Sequence, residues 1–596
     1  MIYSIYTIMF PEKLVLGAVD YTLIAAALLV SAGIGVYFQR TSRHTDNNDD
    51  FVLGGRALAP FPVALSILAT FTSALSLMGI PADVYMYGTN LVFSNLLFLV
   101  APVFCNYFFL PVFFGDHFTS VYEYLERRFG KLTRRLLSAM FSVQIGLYTA
   151  VALYAPALAL SAVTDLSLWM SIISIGVVCT FYCTLGGMKA VLWTDVFQAG
   201  LMYTTLFVIC IVGCIQLGGI SKVFEMSYDG GRLVVPEFTT DISQQYTMYN
   251  IMAQGMLMML STYGGSQIGL QRLMAVKDLK TSRLVTYLSI PLCMSFRLLC
   301  ALVGLIVYAY FKECDPLKGP DRLIRSPDQF LPFFITNAMS HLPGLPGLCI
   351  AGIFSASLST VSSAINSLAA VTYEDFLGPL LPGAKNRPVM WTKLLSVLYG
   401  VTCIALSFAM GSMGTLIKTT ILLRGVFGGP NLAVFALGMG STLANEEGVV
   451  IGLIISLVLG FWLNFGVNVI REPFLPLEAA CTSGNASLTN NVTLSVDAWM
   501  SNVTILPPTV DITPTDKFPV AYMWFSTIGL VVCLIIGYVC SIVINCIRGT
   551  TPEISEIYLS PMRTWFFKSK HSPNGNSKNS KNMDLKINPN HQDTSF

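Results

Sequence analysis

Gly347–Leu377, GLCIAGIFSASLSTVSSAINSLAAVTYEDFL, is the stretch on which the reading of this chain turns. Its apolar run is long enough to cross a bilayer. Ala356, Ser359, Thr360, Ser363 and Ser367 follow one another at i, i+3, i+4, i+7 and i+11, which sets them on one face of a helix. Ser and Thr hydroxyls offer lone pairs without charge, and a hydroxyl that bonds back along the helix lets a carbonyl such as that of Ala356 turn outward. A hard monovalent cation stripped of water at mid-bilayer needs several such oxygens. The same stripe also reads as small residues that let two helices pack closely. The rest of the chain decides between the two.

Of 596 residues, 54% are hydrophobic and only 11% charged, with a mean hydropathy of +0.65. That is too apolar for a soluble multidomain protein and too long for a single span, so the chain is expected to be an all-α polytopic membrane protein. A net charge of +2 gives no hint of a nucleic-acid partner, and Lys and Arg cluster in short loops instead of forming a basic face, so none is expected. The N-terminus lacks a basic n-region and carries no cleavable leader pattern. Most of the fourteen cysteines lie in apolar runs, where Cys acts as a small hydrophobe. Cys314 and Cys481 instead fall in loops expected outside the cell, where a disulfide persists.

Apolar stretches bounded by charges, Gly or Pro give thirteen expected spans, near 20–38, 61–82, 91–114, 137–163, 168–185, 191–217, 248–271, 284–311, 345–372, 390–410, 415–440, 447–468 and 520–546. Two signals orient them. The N-x-S/T sequons at Asn485, Asn491 and Asn502 share one polar loop, 469–519, which glycosylation requires to be outside. Thirteen spans then set the N-terminus outside and the tail inside, and the loops so placed in the cytoplasm hold most of the Lys and Arg residues. The expected site is a multi-pass position in the plasma membrane. The polar tail reads as disordered, and Thr594-Ser595-Phe596 at its end fits strand addition to a PDZ domain.

Span 61–82, FPVALSILATFTSALSLMGIPA, carries a second hydroxyl stripe: Ser66, Ala69, Thr70, Ser73 and Ser76. Gly79-Ile80-Pro81 is expected to break this helix and free its carbonyls. A third element, GGMKAVLWTDVFQ (186–198), starts its span with Asp195 and, at i+3, Gln198. A carboxylate there either faces water or a cation path, or caps its helix.

These stretches, with LYAPALAL (153–160), FYCTLGG (181–187), SPDQF (326–330) and LPGLPGL (342–348), resemble the sodium/solute symporter family over 52–470. The branch that the chain most resembles is that of sodium-coupled monocarboxylate, multivitamin and iodide transporters. The resemblance implies a LeuT-like five-plus-five inverted repeat with one extra leading and two extra trailing helices. It divides the chain into 1–60, a transport core 61–440, peripheral helices with the glycosylated loop 441–546, and a cytoplasmic tail 547–596. It also implies a Na⁺ site made by the carbonyls of Ala69, Thr72 and Ala356 and the hydroxyls of Ser359 and Thr360. Asp195 and Gln198 match the inner Na⁺ exit route, and Thr70 and Ser363 match neighbours of the ion.

Two cations depart from the family pattern, Arg297 and Arg424, each near the middle of an apolar run. Arg424 lies about nine residues into its helix, so at 1.5 Å per residue it is roughly 13 Å deep. It is expected to face the central cavity and to hold a substrate carboxylate bidentately, with Ser73 and Ser76 beside it. For Arg297 a structural pairing with a helix-end carbonyl or an acidic side chain is the stronger expectation. Asp83 is expected at the outer end of its span, as a gate or a holder of a cationic group. All five histidines, His44, His117, His341, His571 and His591, fall in loops or tails, which favours Na⁺ over protons. No nucleophile–base pair or nucleotide loop is evident, so an enzyme is not expected. The chain therefore reads as a sodium-coupled symporter of a small organic anion, a monocarboxylate or a carboxylate-bearing vitamin. An iodide-like anion carrier and an uncoupled sensor or ion leak stay open as alternatives.

Overall fold

A computed structural model describes residues 16–41, 48–115, 118, 120–164, 167–318, 323–324, 326–381, 383, 386–410, 416–466, 475 and 520–563. The sequons at Asn485, Asn491 and Asn502, Cys481 and the C-terminal motif lie outside these residues. So do His44, His117, His571 and His591.

The regular secondary structure of the described residues is helical apart from one isolated bridge between Glu237 and Thr247. In chain order the main helices are α1 (Ala18–Thr41), α2 (Pro60–Phe71), α3 (Ala74–Tyr87), α4 (Leu97–Phe108), α5 (Lys131–Val163), α6 (Leu168–Gln216) and α7 (Met248–Gly264). They continue as α8 (Gln267–Leu273), α9 (Leu279–Tyr310), α10 (Leu345–Thr372), α11 (Pro388–Ser407), α12 (Leu416–Gly440), α13 (Glu446–Gly466) and α14 (Phe525–Arg548). Ten helices among the described residues are long and apolar enough to cross a bilayer. The pair α2/α3, bent by 56°, makes an eleventh, and Leu168–Thr184 is a shorter apolar helix.

α10 is the centre of the bundle. Its apolar window is 94% buried, against 17% in α1 and 22% in each of α11 and α14. A helix surrounded by protein on every side has no lipid face to satisfy, which is why a stripe of hydroxyls is tolerated there. Neighbours hold it by hydrogen bonds to its backbone or its hydroxyls: Tyr182 Oη of α6 donates to Leu358 O (2.8 Å), and Ser357 Oγ donates to Ala152 O of α5 (2.6 Å). At its N-terminus, Asp20 Oδ1 of α1 accepts the N–H groups of Gly344 (3.1 Å) and Gly347 (2.9 Å). The close approach needs glycine, because a Cβ on Gly347 would lie 2.4 Å from Asp20 Cα.

The break between α2 and α3 falls at Thr72-Ser73 and not at Gly79-Ile80-Pro81. Thr72 (φ −107°, ψ 90°) and Ser73 (φ −87°, ψ 175°) are extended, whereas Pro81 lies inside α3. At the break Thr72 closes α2, its N–H and its Oγ1 both donating to Leu68 O (2.9 and 2.5 Å), and Ser73 opens α3, its carbonyl accepting the N–H groups of Ser76 (2.9 Å) and Leu77 (3.1 Å). Of the carbonyls the break frees, Ala69 O accepts a hydrogen bond from Ser359 Oγ of α10 (2.8 Å). Pro81 packs against α9, where a Cβ on Gly304 would sit 3.0 Å from Pro81 Cα. The expected stripe Ser66–Ser76 is therefore split, with Ser66, Ala69 and Thr70 on α2 and Ser73 and Ser76 past the break.

Spans 168–185 and 191–217 are joined without a loop. α6 turns instead at Gly187 (φ 60°, ψ −164°), a conformation essentially confined to glycine. Phe51 packs into the turn, 2.8 Å from where a Cβ would project.

Candidate functional site

The C-terminal end of α2 meets the middle of α10, and oxygens converge there. Ser359 Oγ lies 2.8 Å from Ala69 O on α2 and 3.2 Å from Ala356 O on its own helix. Thr360 Oγ1 is 3.1 Å from the same Ala356 O. A hydroxyl has one proton, so with Ser359 donating to Ala69 O and Thr360 to Ala356 O each carbonyl and each hydroxyl oxygen still keeps lone-pair capacity at this junction. All four residues are buried. Thr72 is buried beside them at the helix break, its hydroxyl turned back to Leu68 O, so that only its carbonyl is left for such a cluster. Sequence spacing thus selected residues that the fold brings together across 290 positions. The donor set, carbonyls and hydroxyls without formal charge, suits a hard monovalent cation carried as cargo.

One turn further along α10, uncharged chemistry gives way to charge. Ser363 Oγ donates to Ser359 O (2.6 Å), lies 3.3 Å from Thr70 Oγ1 and also accepts from Arg272. Arg272 extends from the short helix α8. Its Nη2 reaches Asp195 Oδ2 (3.0 Å), its Nε donates to Ser66 Oγ (2.8 Å), and its Nη1 donates to Ile268 O (3.1 Å). Ser66 Oγ in turn donates to Asp195 Oδ2 (2.5 Å). The side chains of the ion pair are 1% and 0% exposed, and the pair pins α2, α6, α8 and α10 to one another. Asp195 Oδ1 has no hydrogen-bond partner among the described residues, and neither does Gln198 Oε1 one helical turn away. Gln198 Nε2 donates to Ser31 Oγ of α1 (3.4 Å). Two buried acceptors without donors therefore share one face of α6.

Arg272 is the residue that sequence reading missed. It stands at the end of an apolar run, in QRLMAVKDLK, where it reads as one more cytoplasmic loop cation. The adjacent Gln271 also belongs to the site: its Oε1 accepts from Ser367 Oγ of α10 (2.7 Å). The far half of the α10 stripe is thus occupied by α8 side chains.

Two adjoining cavities, each about 80 Å³, lie between α3, α5, α7, α9 and α12. Thr70 and Thr360 line the first, which sets it against the oxygen cluster. Ser73, Ser76 and Arg297 line the second, and Phe71, Tyr148, Gln254 and Arg424 are common to both. Arg424 stacks on the Tyr148 ring (5.3 Å to the centroid), while Tyr148 Oη donates to Ser73 Oγ (3.2 Å). Arg297 donates to Asn95 Oδ1 (2.7 Å) and Ser94 Oγ (3.1 Å) and lies over Phe98 (5.0 Å). Its partners are neutral side chains and not the helix-end carbonyl or acid expected from sequence, and it faces the cavity as Arg424 does. Asp83 is buried at the far end of α3, accepting from Tyr246 Oη (2.7 Å), which lies 3.3 Å from Tyr522 Oη.

The model of the sodium:solute symporter family matches residues 51–456. The sodium-coupled monocarboxylate transporter 2 of Danio rerio is 38% identical over 514 residues, covering 86% of this chain and 82% of that one. The sodium-dependent multivitamin transporter of Oryctolagus cuniculus is 35% identical over 546 residues, covering 91% and 84%. Among solved structures, a Na⁺-coupled sialic acid symporter superposes with a TM-score of 0.73 at 22% identity, covering 88% of this chain and 98% of that one. The last comparison shows the fold, which is LeuT-like. By its sequence match and its architecture, the chain belongs to the sodium:solute symporter family.

Proposed function

We propose that the chain imports a small organic anion together with Na⁺, the anion being a monocarboxylate or a carboxylate-bearing vitamin of the kind its relatives are named for. Na⁺ binds the carbonyls of Ala69, Thr72 and Ala356 and the hydroxyls of Ser359 and Thr360. Because these oxygens come from both α2 and α10, the ion ties the two helices together and favours the conformation in which the cavity is formed. A carboxylate then docks on Arg424, whose planar fork matches it bidentately, with Ser73 and Ser76 on the adjoining wall. Each Na⁺ moved down a membrane potential of 100 mV contributes about 2.3 kcal/mol. On release, the ion passes Thr70 and Ser363 toward Asp195 and Gln198, whose unpartnered oxygens await a cation.

The reading places the chain in the plasma membrane, with its N-terminus outside, the tail inside and glycans on Asn485, Asn491 and Asn502. The core is 61–440, and a PDZ domain would take the C-terminus. Cys314 is disulfide-bonded, which fits an exterior loop.

One observation carries the proposal: a single hydroxyl, Ser359 Oγ, within bonding distance of carbonyls on two different helices. Tracer uptake in sodium and in choline buffer tests it, with lactate, nicotinate, biotin, iodide and glucose as candidate solutes. Ser359→Ala with Thr360→Ala should abolish sodium-dependent accumulation at normal surface expression. Unchanged dependence on external Na⁺ would refute the cage, and unchanged organic-anion affinity in Arg424→Gln would refute the anchor.

A further inference from the structure

Within the carboxylate-bearing solutes proposed above, we infer that the preferred substrate is one with a second carboxylate, one held by Arg424 and the other by Arg297, so that a simple monocarboxylate is the weaker substrate. The inference rests on the anchoring role proposed for Arg424 and extends it. Both guanidiniums line one cavity, although they come from different helices, α12 and α9. Among the described residues lining this cavity and the one adjoining it there is no Asp or Glu. Two positive charges therefore share one space with no negative side chain among the described residues of its walls. Such a pair is unfavourable in a low-dielectric interior unless a ligand brings the missing charge.

Both arginines are positioned to receive that charge. Arg424 is held by its stacking on Tyr148, and among the described residues no acceptor takes any of its five N–H groups. Arg297 is fixed in orientation by Nε to Asn95 and Nη2 to Ser94, and among the described residues no acceptor takes its Nη1 edge. These anchors use neutral amide and hydroxyl oxygens, so they aim the guanidinium without cancelling its charge. The same cavity is lined by Phe71, Met258 and Ile80, which supply apolar wall for a short carbon chain, and by Gln254 and Ser76, which offer polar contacts. A monocarboxylate would neutralise one guanidinium and leave the other facing an apolar wall, a mismatch that the arriving Na⁺ would deepen. A dicarboxylate neutralises both.

The experiment uses the full chain in cells, with surface expression quantified and uptake measured in sodium against choline buffer. Succinate, glutarate and adipate are compared with the monocarboxylates of the same chain length, butyrate, valerate and hexanoate, as substrates and as competitors. At least one dicarboxylate should be preferred by tenfold or more over its monocarboxylate counterpart. Arg297→Gln should erase that preference, lowering the ratio at least tenfold, and Arg297→Lys should retain part of it. Equal or stronger uptake of the monocarboxylates by the unaltered chain overturns the inference, as does an Arg297→Gln variant that reaches the surface with its preference intact. If no carboxylate of either series is taken up, or Arg424→Gln leaves uptake of both unchanged, the anchoring role of Arg424 itself has failed, and the two-carboxylate inference falls with it. The preference of the unaltered chain decides the question even where Arg297 variants do not reach the surface.

Discussion

Replacing Asp195 with Asn removes one charge from a buried pair while keeping the shape of the side chain. Arg272 would keep its bonds to Ile268 O and Ser66 Oγ, 3.1 and 2.8 Å away, but would lose the carboxylate at 3.0 Å. Because both side chains are almost fully excluded from solvent, the uncompensated guanidinium should cost about 3–5 kcal/mol. At about 1.4 kcal/mol per decade, that is a shift of roughly two to three and a half orders of magnitude away from the conformation in which the pair is made. Arg272→Gln leaves the opposite charge stranded and should cost a similar amount. Losing both charges together should cost much less than the sum, because neither charge is then left unpaired. The assay is a double-mutant cycle on the stability of the purified protein in detergent, using Asp195→Asn, Arg272→Gln and the double variant. A coupling of at least about 1.5 kcal/mol is expected for groups in direct contact. Additivity to within about 0.5 kcal/mol would refute the reasoning, since it would mean that the two charges do not meet in the folded protein.

Asp20→Ala deprives Gly344 and Gly347 of their shared acceptor at the start of α10 and should lower stability by about 1 kcal/mol, as loss of a helix cap does, with Asp20→Asn retaining part of the effect. Thermal unfolding of the two purified variants checks this, and equal melting points for Asp20→Ala and the unaltered chain would count against the cap. Gly187→Ala forces a methyl group into a glycine-only backbone conformation and against Phe51, a loss of about 1–3 kcal/mol that should appear as a lower melting point and reduced surface expression.

What sequence could reveal depended on the range over which each feature is determined. The hydroxyl face of α10 was legible because i, i+3 and i+4 spacing is a local property, and Ser359 does meet Ala69 of α2 while sharing Ala356 O with Thr360 on its own helix. The helix break was misplaced because Gly79 and Pro81 are stronger local breakers than Thr72 and Ser73. In a buried bundle the decisive matter is tertiary: the carbonyl of Ala69 freed at the break meets Ser359 Oγ of α10, a partner that no local sequence pattern shows. Arg297 and Arg424 stood out because cations are rare in apolar runs, but their common cavity is a tertiary fact. Arg272 was illegible for the opposite reason. At the boundary of an apolar run a cation is ordinary, and only the fold brings it to Asp195, 77 positions earlier in the chain.

The oxygen cluster and the ion pair are parts of one device because the same two helices carry both. α2 contributes Ala69 to the first and Ser66 to the second, and α10 contributes Ser359 to the first and Ser363 to the second. A cation settling at one end therefore acts on the helices that the guanidinium clamps at the other. Asp195 divides its oxygens accordingly. Oδ2 is taken by Ser66 and Arg272, whereas Oδ1 has no donor. A buried acceptor left unsatisfied costs about 1–3 kcal/mol, and Gln198 Oε1 adds a second of the same kind. On the proposed exit route, a departing Na⁺ can relieve both deficits without displacing Arg272, because it approaches the carboxylate oxygen that the guanidinium leaves open. The ion pair then serves as a fixed post beside the route, and its charge balance makes passage past a buried carboxylate possible without trapping the ion there: Arg272 already offsets the carboxylate, so the net attraction on Na⁺ is far weaker than a lone aspartate would exert.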